Sequence, residues 1–319
     1  MRVALFGFQT WGYRVLEALL GSDHEVVQVV THPKSDHAYE SIWGDSVEEL
    51  AVSKGIPVLV KDRPDPEVVA AVACADVMVA CNWRTWIPPE IFTAPRLGTL
   101  NVHDSLLPRY AGFAPLNWAI INGETEVGVT AHVMDERLDR GDIVLQWAVP
   151  VGPLDTATDM FHATVEMMGP ITLEALDHLE HGTGQRTSQD ISRATFFHKR
   201  SVEDSLIDWT WPALDIVNLV RAQSDPYPNA YTFADGQRLR VLQASITFEC
   251  CGGTAGRVFA RSSDGDGVII VCGPDSHRGG NPGLIIEQVR DDEGREGPAR
   301  DFFPRLGGYL RRRPEMREA

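Results

Sequence analysis

The chain has 319 residues, room for two domains, with 43% hydrophobic and 23% charged residues and a formal net charge of −16. Such acidity suits a globular enzyme and argues against a grip on a large polyanion, which normally needs a basic surface. No apolar run is long enough to span a bilayer, the start Met1-Arg2-Val3-Ala4-Leu5 has no signal-peptide pattern, and Cys74, Cys81, Cys250, Cys251 and Cys272 lack metal-ligand spacing. The expectation is a cytoplasmic protein, monomer or homodimer, with reduced thiols, no metal and no membrane contact.

In chain order, Arg2 to Phe6 reads as a buried strand, about Thr10 to Leu20 as a helix (Trp11, Val15, Leu16 and Leu19 inward), and Glu25 to Val30 as a second strand. The turn Gly7-Phe8-Gln9-Thr10-Trp11-Gly12 is neither a dinucleotide fingerprint nor a phosphate loop, so its glycines are expected to serve a tight turn and close packing. After His32-Pro33 comes an acidic, aromatic loop from Ser35 to Asp45, in which Tyr39 and Trp43 are candidates to line a substrate, against a plain solvated loop. Lys34 is the only lysine or arginine there before Lys54. A helix over Ser46 to Lys54, a strand over Pro57 to Val60 and a helix over Pro66 to Val72 follow.

Val77-Met78-Val79-Ala80-Cys81 is continuously apolar, the mark of a strand buried on both faces. The loop Asn82-Trp83-Arg84-Thr85-Trp86-Ile87-Pro88-Pro89 leaves its carboxyl end, where open α/β sheets place ligands. Thr99 to His103 alternates like a short strand, Pro115 to Asn122 reads as a helix behind it, and Val127 to Met134 and Ile143 to Val149 read as strands. Thr158 to Met168 and Thr172 to His181 show amphipathic helical spacing, and Gly184 to Glu203 is polar and aperiodic. A second unit opens with a helix from Pro212 to Ala222 and strands at Leu239 to Ile246, Val268 to Cys272 and Leu284 to Val289, a small barrel pattern. Arg311-Arg312-Arg313 reads as a frayed tail. The boundaries are then 1–183, a linker at 184–206, and 207–319.

The chemistry concentrates in Asn101-Val102-His103-Asp104-Ser105-Leu106-Leu107-Pro108, answered by Leu138-Asp139-Arg140-Gly141-Asp142. Asn101 can donate to a developing oxyanion, His103 can move a proton, and Asp139 can hold the imidazole and raise its basicity. No Ser or Cys nucleophile is needed if the substrate brings its own, such as an amine. Ser105 either orients His103 or caps the next turn, and Asp104 either faces a cationic acceptor or reaches solvent.

These motifs, with Tyr110-Ala111-Gly112 and Pro115-Leu116-Asn117-Trp118, resemble the folate-dependent formyltransferases. That group includes methionyl-tRNA formyltransferase, sugar-nucleotide N-formyltransferases and the N5-hydroxyornithine enzymes of siderophore biosynthesis. The resemblance implies a Rossmann-like α/β formyltransferase domain with a mostly parallel sheet, followed by a small β-rich OB-like domain. In the latter the family's Asp-Pro-Tyr-Pro-Gly-Ala stands here as Asp225-Pro226-Tyr227-Pro228-Asn229-Ala230, and Asn229 also tolerates a left-handed backbone.

The resemblance implies formyl transfer from 10-formyltetrahydrofolate to nitrogen through Asn101, His103 and Asp139. It places the folate near Thr85, Trp86 and Ile87, near Ser105, Leu106, Leu107 and Pro108, and near Asp135, Glu136, Arg137 and Leu138. Asp104, Tyr110 and Phe113 are the candidate acceptor contacts; Phe113 stands where sugar-nucleotide enzymes can carry Arg. The acceptor expected is a small amine or hydroxylamine, N5-hydroxyornithine first, then an amino-sugar nucleotide. Methionyl-tRNA is disfavoured by net charge and by the missing basic insertion, so no nucleic-acid partner is expected. A folate-binding relative without transfer is the non-enzymatic alternative.

Overall fold

The computed structural model describes residues 1–35, 40, 43–274, 281–303 and 305–311. Tyr39, Arg312 and Arg313 lie outside them. Two compact units form: Met1–Leu116 with Glu126–Val151 and Asp159–Lys199, and Asn117–Thr125 with Gly152–Thr158 and Arg200–Ala319. Each chain crossing therefore contributes to both units, which a division at single boundaries cannot express.

The first unit is built on β1 (Arg2–Gly7), β2 (Glu25–Thr31), β3 (Val58–Val60), β4 (Val77–Cys81), β5 (Thr99–His103), β6 (Ala111–Gly112), β7 (Glu126–Val133), β8 (Ile143–Pro150) and β9 (Phe196–Phe197). Seven of these form one sheet in the order β3-β2-β1-β4-β5-β7-β8. The first five are parallel, β7 runs antiparallel to β5, and β8 runs antiparallel to β7. Because strand side chains alternate, Val3, Leu5, Val77, Val79 and Cys81 enter the core on one face, while Ala4, Phe6, Met78 and Ala80 enter it on the other.

Helices cover both faces: α1 (Gln9–Leu20), α2 (Val47–Ser53), α3 (Pro66–Val72), α4 (Pro89–Phe92) and α6 (Ala157–His181), with α5 (Pro115–Ile121) between β6 and β7. Their starts follow ordinary capping chemistry: the Ser46 side chain accepts from Glu49 N–H, and Asp65 accepts from Glu67 and Val68 ahead of Pro66 at the first turn. Gly12 in α1 lies so close to Gly7 that a Cβ there would meet its Cα at 2.7 Å. Replacing fully buried Phe6 by Ala would cost about 3–5 kcal/mol.

Two expectations change. The helices read at 158–168 and 172–181 are one continuous helix of 25 residues despite Gly169-Pro170. Met168, Ile171, Ala175, Leu176 and Leu179 all enter one buried cluster, and that packing outweighs the helix-breaking preference of the pair. The stretch read as a linker is not one up to Lys199: β9 pairs in parallel with β6, and Thr187 bridges Ile143 through two backbone hydrogen bonds.

The second unit contains α7 (Ala213–Ala222) and an antiparallel sheet of β10 (Ala230–Ala234), β11 (Gln237–Cys250), β12 (Val258–Arg261), β13 (Val268–Ile270), β14 (Pro282–Asp291) and β15 (Glu296–Pro298). Asn229 takes the left-handed backbone at φ 61°, and the β10–β11 turn is Asp235-Gly236, both with positive φ. Arg311, read as part of a frayed tail, is paired: it bridges Phe233 while Tyr309 bridges Arg257. Among the described residues no helix is long and apolar enough to cross a membrane.

Candidate active site

Asn101 and His103 occupy alternate positions of β5 and remain partly exposed between buried Leu100 and Val102. The strand's two-residue period therefore aims both at one side. Asn101 sits directly opposite His132 on antiparallel β7, and its Nδ2 lies 3.0 Å from His132 Nε2. His132 Nδ1 donates to the Val133 carbonyl at 3.2 Å, so Nε2 is the lone-pair nitrogen and receives one Asn101 N–H. The other amide N–H is left to donate elsewhere. Burial pushes the His132 pKa down against the pull of Asp139, keeping it neutral.

His103 Nε2 donates to the Tyr110 carbonyl at 3.2 Å, which leaves Nδ1 of the neutral ring as the basic atom. Nδ1 lies 4.0 Å from Asp139 Oδ1, too long for a direct hydrogen bond. Asp139 therefore does not hold the imidazole as expected; Gly112 N–H holds Asp139 instead, at 2.9 Å to Oδ2. Its other oxygen and His103 Nδ1 face each other across a gap and together can take up a proton.

Asp139 is itself left-handed, at φ 52°. Gln189 pins that conformation by donating to the carbonyls of Asp139 (2.9 Å) and Gly141 (2.8 Å). Gly141 is obligatory, because a Cβ there would lie 1.6 Å from the Val133 carbonyl oxygen. Thr195 Oγ1 accepts from Tyr110 N–H at 2.9 Å on the other side of the loop. Sequence reasoning missed His132, Gln189 and Thr195. His132 is recognisable only once strand register is known, and the other two lie in a polar stretch without periodicity.

Other expected contacts move. Asp104 points neither to solvent nor to an open acceptor site. Its Oδ2 accepts from Trp11 Nε1 at 3.0 Å, and Oδ1 is buried without a hydrogen-bond partner. Burial pushes its pKa up, against the Trp11 and Thr164 hydroxyl contacts. Asp104 is thus a half-buried neighbour of the site, with one oxygen engaged by Trp11 and the other turned inward. Tyr110 is likewise buried, its ring stacked 5.0 Å from Phe197, whereas Phe113 is exposed.

Ser105 donates to the Arg109 carbonyl at 3.1 Å, which is the turn-capping alternative and not the orientation of His103. Leu107 is buried, its N–H donates to Thr130 and its carbonyl accepts from Gln146. Ile87 belongs to the core. The Ser105, Leu107 and Ile87 side chains thus shape the loops. Leu106 packs toward Gly128, and the Pro108 carbonyl accepts from Thr195 N–H at 3.2 Å. Trp86 and Leu138 are more than half exposed, Glu136 and Arg137 are exposed, and Asp135 grips Arg137 at 2.7 Å. Thr85 Oγ1 donates to the Asp62 carbonyl at 3.2 Å.

A donor amide and a basic imidazole nitrogen at the end of a parallel strand, with a carboxylate facing them from the loop between β7 and β8, suit acyl transfer to a nucleophile that the substrate brings. The sequence matches the family described as formyl transferase over residues 1–176, and the formyl transferase C-terminal domain over 199–307. The chain belongs to that family, and it is an N-formyltransferase using a formyl-folate.

Curated relatives include a methionyl-tRNA formyltransferase of Geobacter metallireducens, 34% identical and covering 95% of each chain. One of Desulfotalea psychrophila is 35% identical, covering 92% of this chain and 88% of its own. Among solved structures, an N-formyltransferase of Helicobacter canadensis with folinic acid and dTDP-3-aminofucose shares the fold at TM-score 0.68 and 18% identity, over 89% of this chain and 98% of that one. HypX of Aquifex aeolicus with tetrahydrofolic acid does so at 0.58 and 23%, over 95% of this chain and 46% of that one. These relatives lend no support to hydroxyornithine in particular, nor to the expectation that no nucleic acid is involved.

Proposed function

We propose that the chain moves a formyl group from 10-formyltetrahydrofolate to the nitrogen of a small amine or hydroxylamine, with N5-hydroxyornithine as the leading candidate acceptor. The convergence of Asn101, His103 and Asp139 carries the chemical part. The free Asn101 N–H donates to the formyl oxygen as the acceptor nitrogen attacks; His103 Nδ1, facing Asp139, receives the proton that nitrogen loses and returns it to N10 as the formyl C–N10 bond breaks and tetrahydrofolate leaves. Exposed Trp86 and Leu138, on the loops after β4 and between β7 and β8, suit the flat rings of a folate.

Charge supports the small acceptor. Besides the net charge of −16, several arginines of the second unit already have carboxylate partners: Arg238 and Arg240 share Asp292, Arg290 pairs with Asp225 and Glu296, Arg295 with Asp291 and Arg300 with Asp266. A tRNA-binding surface leaves guanidiniums free for phosphates.

The second reading is methionyl-tRNA formylation, and the curated relatives favour it over hydroxyornithine, at 34–35% identity across nearly the whole length. Release of tetrahydrofolate in the presence of N5-hydroxyornithine, a dTDP-amino sugar or methionyl-tRNA decides between them. Turnover with methionyl-tRNA alone would overturn the small-acceptor reading.

A further inference from the structure

A second polar cluster lies at the carboxyl ends of β2, β1 and β4, on the opposite side of β4 from β7. The Glu40 carboxylate accepts from Gln9 Nε2 at 2.8 Å and from Arg84 Nη1 at 2.8 Å. Arg84 Nη2 donates to Gln9 Oε1 at 2.7 Å, and Asn82 Nδ2 donates to the same oxygen at 3.3 Å. The Arg84 guanidinium lies 4.9 Å from the centre of the Phe8 ring. His32 receives the Arg84 N–H at Nε2, donates from Nδ1 to the Lys61 carbonyl and stacks on Trp83 at 3.8 Å, so it anchors this loop as a neutral ring. Burial pushes Glu40 up, but hydrogen bonds from Ser35, Arg84 and Gln9 outweigh it and hold the carboxyl below its usual value.

Two features mark the cluster as more than a surface ion pair. The strand order β3-β2-β1-β4-β5 reverses direction between β1 and β4, the crevice where doubly wound sheets bind ligands. Gln9 leaves β1 and Asn82 leaves β4 on either side of that crevice. Both also hold left-handed backbones, at φ 52° and 53°. Such a conformation costs about 1–2 kcal/mol for a residue like Gln and marks a position shaped for function. By register, position 82 lies beside His103, one strand spacing of about 4.8 Å away.

We propose that Gln9, Glu40 and Arg84 form the acceptor-recognition subsite, and that it reads the zwitterionic end of an α-amino acid whose distal nitrogen is formylated. This rests on the small-acceptor reading. Arg84 presents a fork matched to an α-carboxylate, and Glu40 beside it accepts from an α-ammonium; the ligand replaces their pairing with each other. An ornithine-type chain spans on the order of 5–6 Å from Cα to its terminal nitrogen, comparable to the one strand spacing that separates position 82 from His103. The other acceptor classes do not match. Methionyl-tRNA has no free carboxylate, and its α-amine is itself the nucleophile. A nucleotide sugar brings at least two negative charges to a subsite whose one guanidinium is balanced by a carboxylate.

The test compares N5-hydroxyornithine with its decarboxylated counterpart, an N-hydroxy-diaminobutane, in steady-state kinetics of the wild type, Arg84→Leu, Arg84→Lys and Glu40→Gln. The wild type should prefer the amino acid by about 10- to 100-fold in kcat/KM, the usual worth of a charge-assisted hydrogen-bond pair. Arg84→Leu should raise KM for the amino acid by about that factor and erase the preference, without moving KM for the folate. Arg84→Lys should restore part of it, and Glu40→Gln should weaken binding of hydroxyornithine relative to its Nα-acetyl derivative. Folate binding and thermal melting of each variant report whether it is folded. A preference that persists in Arg84→Leu overturns the inference and leaves the small-acceptor reading standing. Turnover of methionyl-tRNA but not of hydroxyornithine by the wild type overturns both.

Discussion

Left-handed residues divide the two units. In the first they are Gln9, Asn82, Tyr110, Ala114 and Asp139; in the second, Asn229 and Asp235. Asn and Asp adopt this conformation at little cost, and both in the second unit serve turns. Gln, Tyr and Ala do not adopt it readily, and these cluster in the loops at or following the carboxyl ends of β1 and β5. The strain is held by specific bonds: Thr195 on Tyr110, Gln189 on Asp139, and Arg84 and Glu40 on Gln9. Polar groups also behave differently. Those of the first unit leave Asn101 with a spare donor and His103 with a spare base, whereas the ion pairs of the second unit close upon themselves. The first pattern stores strain to aim side chains, and the second secures a sheet.

That contrast predicts where activity and stability separate. Asn101→Ala or His103→Ala should lower kcat about 100- to 1000-fold with the melting temperature nearly unchanged, measured by tetrahydrofolate release and calorimetry. A comparable fall in stability would mean that these side chains are structural. Gly141→Ala should remove both activity and stability, because its Cβ meets a carbonyl oxygen at 1.6 Å and the Asp139 loop must shift. We expect a cost of about 3 kcal/mol or more in denaturant unfolding. His132→Phe keeps a ring but loses the acceptor that orients Asn101, and should reduce kcat on the order of tenfold.

The pH response follows from three histidines that burial holds below their ordinary pKa, His24, His32 and His132. Below about pH 6.5 the unfolded chain takes up protons that the folded one refuses. Stability is therefore present above that value and lost as pH falls through it; melting scans from roughly pH 8 to 5.5 should show the decline, and His32→Gln should flatten it. A melting temperature that rises on acidification would contradict this sign. Smallest of all, Arg290→Ala should cost about 1 kcal/mol in the second unit, since its pairs with Asp225 and Glu296 are partly solvated. It should leave kcat untouched.

Period and apolar runs were enough to place β1, β4, β5 and β7, and the alternation of Thr99 to His103 already put Asn101 and His103 on one side. The order of the strands, with its reversal between β1 and β4, was not written in any local pattern. Motif spacing suggested Asp139 as the partner of His103, but local spacing says nothing about the 4.0 Å gap between them or about Gly112 holding the far oxygen of Asp139. Asp104 shows the limit most plainly. Strand alternation turned it away from His103, and only the packing of α1 and α6 decided whether that side was solvent, substrate or core.

Composition, period and turn chemistry act between residues close in the chain, so the α/β class, the β-rich second unit and the site strand were determined by sequence alone. Register across β5 and β7, the return of Gln189 and Thr195 onto the site, and the meeting of Gln9, Glu40 and Arg84 join residues 31 to 85 positions apart. Those contacts exist only after the sheet has formed, because burial and register, not local preference, bring their partners within reach.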